Sequence, residues 1–286
     1  MVTGATSGIG AVTARDLARV GATVVIVGRD RGRCARQAES IAREAGSRAE
    51  ILVADLSSQR QIRHAAEEFA RRHSALDVLV NNAGSYFMRR ELTEDGLEKT
   101  FAVNHLAPFL LTSLLLGALL ASESARVVNV SSGAHERAQM DFEDLQGARR
   151  YDRLEAYSRS KLANLLFTYE LARRMEGSRV TANALDPGAV ATNLGRDSAW
   201  LRVKLRNLFR RGLLSPEEGA RTSVHLARSP EVEGVTGRYF RACREARSSG
   251  ASYDRAAAER LWRVSEELTG LSRRGPAPER MAPGPA

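Results

Sequence analysis

The chain has 286 residues, 43% hydrophobic and 27% charged, with a formal net charge of +9 and a pI near 10.2. That length and apolar content suit one large α/β domain with a real core, and they exclude a chain disordered throughout. The positive charge does not read as a nucleic-acid footprint, because the basic residues are spread along the chain and aromatics make up only 6%, whereas such footprints cluster.

Residues 1–10 read Met-Val-Thr-Gly-Ala-Thr-Ser-Gly-Ile-Gly and lead into an amphipathic helix (Val12, Leu17, Ala18, Val20) that closes at Gly21. A β-branched run follows at 23–27. Glycines in such a strand-to-helix turn let backbone approach a pyrophosphate, which rests on the free N–H groups and positive dipole end of the helix. The spacing is G-x-x-x-G-x-G, and alone it fits a tight βα connection equally well. Few residues precede the turn, so the first strand is either very short or begins upstream. The second strand ends at Gly28-Arg29-Asp30. An arginine there suits a bidentate 2′-phosphate contact and favours NADP, while Asp30 keeps NAD open.

A third strand at 49–54 runs into Asp55-Leu56, and Ser57-Ser58 can cap the helix that reaches about residue 73. A fourth at 77–80 leads into Asn81-Asn82-Ala83-Gly84, small and amide residues that let an adenosine pack closely or simply make a turn. The stretch 94–121 reads as one long helix with Asn104 near its middle and a kink expected near Pro108. A fifth strand at 126–130 delivers Ser131-Ser132-Gly133, and a polar segment, 134–153, follows as a loop. The sixth, 179–185, leads to Asp186-Pro187-Gly188-Ala189-Val190-Ala191-Thr192. Residues 200–214 are basic and amphipathic, Ser215-Pro216-Glu217-Glu218 opens a capped helix to residue 228, a last strand lies at 237–240, and a helix spans about 254–268. Alternating strands and helices specify a single-domain α/β fold over 1–270, a Rossmann-like doubly wound parallel sheet of about seven strands with helices on both faces. Residues 271–286 are rich in Pro, Gly, Arg and Ala and are expected to be disordered. No signal peptide or membrane span is visible, Cys34 and Cys243 stand alone, and the five histidines show no ligand pattern, so a cytoplasmic location and no metal are expected.

Tyr157-Ser158-Arg159-Ser160-Lys161 carries the chemistry. Only three of the 43 basic residues are lysine, namely Lys99, Lys161 and Lys204, so a lysine here suggests a site that wants a compact charge instead of a planar fork. Helical flanks put residues 157 and 161 on one face at i, i+4. A cation so placed is expected to lower the tyrosine pKa toward working pH and make it a general acid/base.

Together the glycine turn, Asp55-Leu56, Asn81-Asn82-Ala83-Gly84, Asn104, Ser132, Tyr157-x-x-x-Lys161 and Pro187-Gly188-x-Val190-x-Thr192 resemble the short-chain dehydrogenase/reductase family. Asn104-His105-Leu106, Ser160-Lys161-Leu162-Ala163-Asn164 and the 25-residue interval between Ser132 and Tyr157 resemble its retinol dehydrogenase branch. Animal members of that branch place a membrane anchor before the first strand; residues 1–10 show none, so retinoid specificity is not expected to carry over. The resemblance implies Tyr157 as acid/base, Lys161 as its partner on the nicotinamide ribose, Ser132 as holder of the substrate oxygen and Asn104 as positioner of a water. It further implies Gly4, Thr6, Ser7, Gly8, Ile9, Gly10, Arg29, Asp55, Leu56, Asn82, Ala83, Gly84, Pro187, Gly188, Val190 and Thr192 around the cofactor, together with Tyr157 and Lys161. The implied substrate is a small hydrophobic alcohol or carbonyl. A nucleotide-sensing regulator of the same fold is the alternative. The oligomeric state is left open between homodimer and tetramer, and residues 200–214 suggest a lid that contacts a membrane surface.

Overall fold

The computed structural model describes residues 1–190 and 213–271. Its centre is an eight-stranded sheet of order β3-β2-β1-β4-β5-β6-β7-β8. The strands are β1 (Val2–Thr3), β2 (Val25–Gly28), β3 (Glu50–Val53), β4 (Val78–Asn81), β5 (Ala125–Val130), β6 (Val180–Asp186), β7 (Tyr239–Arg241) and β8 (Arg244–Ala246). The first seven run parallel, and β8 is antiparallel to β7. Short apolar runs such as Val25-Ile26-Val27 and Val127-Val128 make the central strands, because a parallel sheet is covered on both faces.

The two faces are distinct cores. Val127, Leu79 and Leu52 pack with Ile62, Phe69, Leu110 and Phe167 on one side. Val128, Val80 and Ile26 pack with Leu17, Ile41 and Leu226 on the other. Neighbours along one strand thus feed opposite cores, as the period of two requires. Ile26, Leu79 and Leu110 are fully buried, each contributing about 1.5–3 kcal/mol. The covering helices are α1 (Gly8–Arg19), α2 (Arg31–Ala45), α3 (Gln59–Arg72), a short α4 (Lys99–Phe101), α5 (Ala107–Leu114), α6 (Leu116–Leu120), α7 (Arg153–Arg174), α8 (Pro216–Arg228) and α9 (Arg255–Thr269).

Three features depart from the sequence reading. The eighth strand is charged and short, and only its pairing with β7 through a turn with left-handed Ala242 and Cys243 defines it. The stretch 94–121 is not one helix: a π-helical turn, Ala102–Leu106, links α4 to α5. Pro108 sits in the first turn of α5, directly after the π turn in which the irregularity lies. Asp30 is committed locally, since its carboxylate caps α2 by accepting the Arg33 N–H at 2.9 Å. Among the described residues no helix is long and apolar enough to cross a membrane. The amphipathic 200–212 part of the expected lid, Thr192 and the tail 272–286 lie outside the described residues.

Candidate active site

The strand order reverses direction between β1 and β4, and the crevice beyond their carboxyl ends is where ligands bind in open α/β sheets. The glycine turn lies there. Gly4 and Gly8 have φ of 66° and 56°, values that favour glycine. An added Cβ on Gly10 would lie 2.3 Å from Asn82 Nδ2 and 2.6 Å from the Gly4 carbonyl oxygen. Ser7 occupies the N-cap of α1 but its side chain caps nothing, so the first-turn N–H groups are left to an external acceptor. This donor set suits a pyrophosphate. Thr6 packs under Gly28, holding the turn against the end of β2, where Arg29 is exposed. Gly10→Ala is expected to weaken dinucleotide binding at least tenfold and to lower stability by about 1–3 kcal/mol; a binding titration and a thermal melt check both.

Asn82 serves as a tie. Its Nδ2 donates to Thr3 O at 2.8 Å, while the Asn82 and Ala83 N–H groups both donate to Thr3 Oγ1 at 3.0 Å. These bonds lock the end of β4 to β1 and set Gly84 over the site. At the outer rim of the crevice the Asp55 carboxylate accepts from the Ser57 N–H and hydroxyl at 2.9 and 2.8 Å, and Leu56 packs into the core. On the other flank Gly188 has φ of 82° and presses on Leu214, and Val190 packs on Ile9 of α1. The Pro187-Gly188 turn thereby meets the glycine turn.

The acid/base pair rides on α7. Asp152 caps this helix by accepting from the Leu154 and Glu155 N–H groups, both at 2.9 Å. A buried polar ladder fixes it to the sheet: Asn81 Nδ2 donates to Asn129 Oδ1 at 2.9 Å, and Asn129 Nδ2 donates to Thr168 Oγ1 at 2.9 Å. Tyr157 is half-buried and Lys161 buried, the ammonium 5.7 Å from the phenol ring centroid. Lys161 Nζ donates to Val130 O at 3.0 Å, and a Cβ on Gly84 would be 3.3 Å from it. Ser132 acts on the Tyr157 phenol from the end of β5, favouring its ionised form. The π turn explains Asn104. Its Nδ2 donates to Ser85 O and Ser160 Oγ at 2.9 and 3.0 Å, and its Oδ1 accepts the Ser85 N–H at 2.7 Å. It therefore bonds across to the β4 loop and α7, not back to a helix carbonyl.

The electrostatics differ from the expectation. Burial pushes the Tyr157 phenol up, against the lowering influence of Ser132, and Asp186 raises it further. The net direction is therefore upward and not the lowering that the lysine was expected to produce, while Lys161 Nζ is hydrogen-bonded to the Val130 carbonyl. Burial lowers Lys161 itself to about 8, with Asp186 opposing. Two residues at the site carried no signal in the sequence reading. Tyr86 meets Tyr157 edge to face at 5.8 Å, and Asp186 stood only as the residue before Pro187, although an acidic residue at a strand's carboxyl end was itself a clue.

A nucleotide cradle at one end of the crevice and a buried lysine beside a tyrosine at the other define a nicotinamide-dependent oxidoreductase. The chain belongs to the short chain dehydrogenase family, whose pattern it matches over residues 1–200, and it is an NAD(P)-dependent dehydrogenase of CH–OH groups. It is 45% identical to Retinol dehydrogenase 14 of Homo sapiens over 291 residues, covering 95% of this chain and 86% of that protein. It is also 45% identical to Polyprenol dehydrogenase of Mus musculus, covering 94% and 83%. A short chain dehydrogenase from Shigella flexneri 2a str. 301, solved in complex with NADP, superposes with a TM-score of 0.68 at 26% identity over 85% of this chain and 95% of that one. Neither the site nor these relatives support the alternative of a regulatory nucleotide sensor.

Proposed function

We propose that the protein is an NADP-dependent alcohol dehydrogenase or carbonyl reductase acting on a hydrophobic substrate. The observation that carries this reading is the grouping of Tyr157, Lys161, Ser132 and Asn104 at the carboxyl ends of β4 and β5, with Lys161 and Asn104 facing Gly84. The nicotinamide, when bound, supplies or accepts the hydride.

The protein's own work is positional and electrostatic. Ser132, anchored at the end of β5, orients and polarises the substrate oxygen, and Tyr157 exchanges a proton with that oxygen. Lys161 supplies a compact positive charge beside the phenol, and Asn104 keeps the β4 loop and α7 in register. Gly4, Thr6, Ser7, Gly8, Ile9 and Gly10 would hold the pyrophosphate, with Asn82, Ala83, Gly84, Asp55 and Leu56 along the adenosine side. Pro187, Gly188, Val190 and Thr192 would seat the nicotinamide end. Tyr86, set against Tyr157, adds an aromatic wall, which suits an apolar substrate, as do the retinol and polyprenol in the names of its relatives.

NADP is favoured because Arg29 stands exposed at the end of β2 while Asp30 is occupied as a helix cap. Arg29→Glu is expected to move the ratio of kcat/KM for NADPH over NADH about 10- to 100-fold toward NADH. An unmoved ratio would assign the 2′-phosphate to another group. The reading as a whole is tested by following NADPH oxidation by the purified protein across a panel of apolar aldehydes and ketones. Turnover confined to short polar carbonyls would refute the hydrophobic substrate.

A further inference from the structure

Asp186 ends β6 with a buried side chain, directly before the Pro187-Gly188 turn. Its Oδ1 accepts the Gly188 N–H at 2.9 Å, and its Oδ2 faces Arg241 Nε at 3.2 Å. Asp186 and Arg241 are register partners across β6 and β7, so the sheet itself brings the two charges together. Arg241 Nη2 also donates to Glu136 Oε1 at 2.9 Å, on the 3-10 turn Gly133–Arg137 that Ser132 caps. Gly133 passes so close that an added Cβ would sit 3.2 Å from Asp186 Oδ2. One carboxylate thus joins the segments bearing Ser132, the Pro187-Gly188 turn and β7.

Burying a carboxylate is costly unless it is fully compensated. Here one half-exposed guanidinium serves two carboxylates, so the Asp186–Arg241–Glu136 trio carries a net negative charge. We propose that Asp186 is a positioning residue that fixes the Pro187-Gly188 turn and supplies the negative field keeping Lys161 an ammonium, with Arg241 attenuating that field. The proposal deepens the reading of Tyr157 and Lys161 as the acid/base pair and rests on it. β5 and β6 pair with Val130 opposite Leu185, and Lys161 Nζ is held on the Val130 carbonyl, so the strand end that carries Asp186 runs alongside the ammonium. Asp186 accordingly opposes the downward pull of burial on Lys161 and raises Tyr157 and Tyr239 as well. The groups that face this corner are Tyr157 on α7, Tyr86 after β4, Asp186 on β6, Arg241 and Tyr239 on β7, and His135 and Glu136 after β5, His135 lying against Tyr239 and the Ser132 carbonyl; Asn104 on the π turn and Ser132 are polar without titrating.

Asp186→Asn keeps an oxygen for the Gly188 N–H and removes the charge, while Arg241→Gln unmasks the carboxylate. Carbonyl reduction needs both Lys161 and Tyr157 protonated. Losing the negative charge lowers both, so the alkaline limb of kcat is expected to move down by about 0.5–1 pH unit in Asp186→Asn and up in Arg241→Gln. A readout without turnover separates this from the functional reading. Protein labelled with 13C at lysine Cε has three signals, from Lys99, Lys161 and Lys204, and Lys161→Arg identifies the one that matters. Its titration midpoint is expected to fall in Asp186→Asn and rise in Arg241→Gln. If Asp186→Asn does not fold, Arg241→Gln carries the upward shift alone. A Lys161 midpoint unmoved in folded variants overturns the proposal. A midpoint that moves as expected in a protein that reduces no carbonyl supports the field and overturns the dehydrogenase reading instead.

Discussion

Tyr157→Phe is expected to cut turnover by about 10³-fold while leaving NADPH affinity within about twofold. The substitution removes one oxygen and almost no volume. The ring keeps its edge-to-face contact with Tyr86, α7 keeps its Asp152 cap, and the ladder through Asn129 and Thr168 is untouched, so the fold has no reason to change. What disappears is the phenolic proton that Tyr157 exchanges with the substrate oxygen. Because burial raises the Tyr157 pKa, the wild-type phenol is protonated at neutral pH, ready to donate in the reductive direction. Oxidation needs the phenolate, so its rate is expected to climb with pH until Lys161 loses its charge. Single-turnover rates and a cofactor titration check both halves. A variant retaining a tenth of wild-type turnover would take Tyr157 out of the proton path.

What the sequence made legible follows from how local each signal is. The glycine turn, the Tyr157-Lys161 spacing and the Pro187-Gly188 turn each announce themselves within a few residues, because a left-handed φ, an i, i+4 stack or a proline is a local constraint. Seven strands and the two-faced core follow from apolar runs of the right length. The features that escaped depend on distant partners. Asn104 stands out by its motif, but its partners Ser85 and Ser160, on separate elements, do not. Likewise, Asp186 acquires meaning only when β7 sets Arg241 opposite, and the burial that pushes Tyr157 up and Lys161 down comes from every element packed around them. Spacing placed the two side chains on one face but said nothing of what else their faces touch.

Lys161→Arg is expected to lower kcat/KM about 100-fold although the charge is conserved. Lys161 is 3% exposed, its Nζ is fixed on the Val130 carbonyl, and Gly84 and Asn104 close the other side: a Cβ on Gly84 would be 3.3 Å from Nζ and 3.6 Å from Asn104 Oδ1. A planar guanidinium is longer and wider than an ammonium. To fit, it must displace the Gly84 loop or push α7 outward, and misplacement of about 1 Å costs roughly that factor. The pH profile gives the sharper diagnosis. In the wild type burial lowers Lys161 to about 8, so the ammonium is present below that value and activity falls as pH rises through it. Arginine does not titrate there. The residual activity of the variant is therefore expected to lose the limb near 8 and to persist to higher pH. Wild-type rates in Lys161→Arg would show that charge alone suffices at this position, and a surviving limb near 8 would assign that titration to another group.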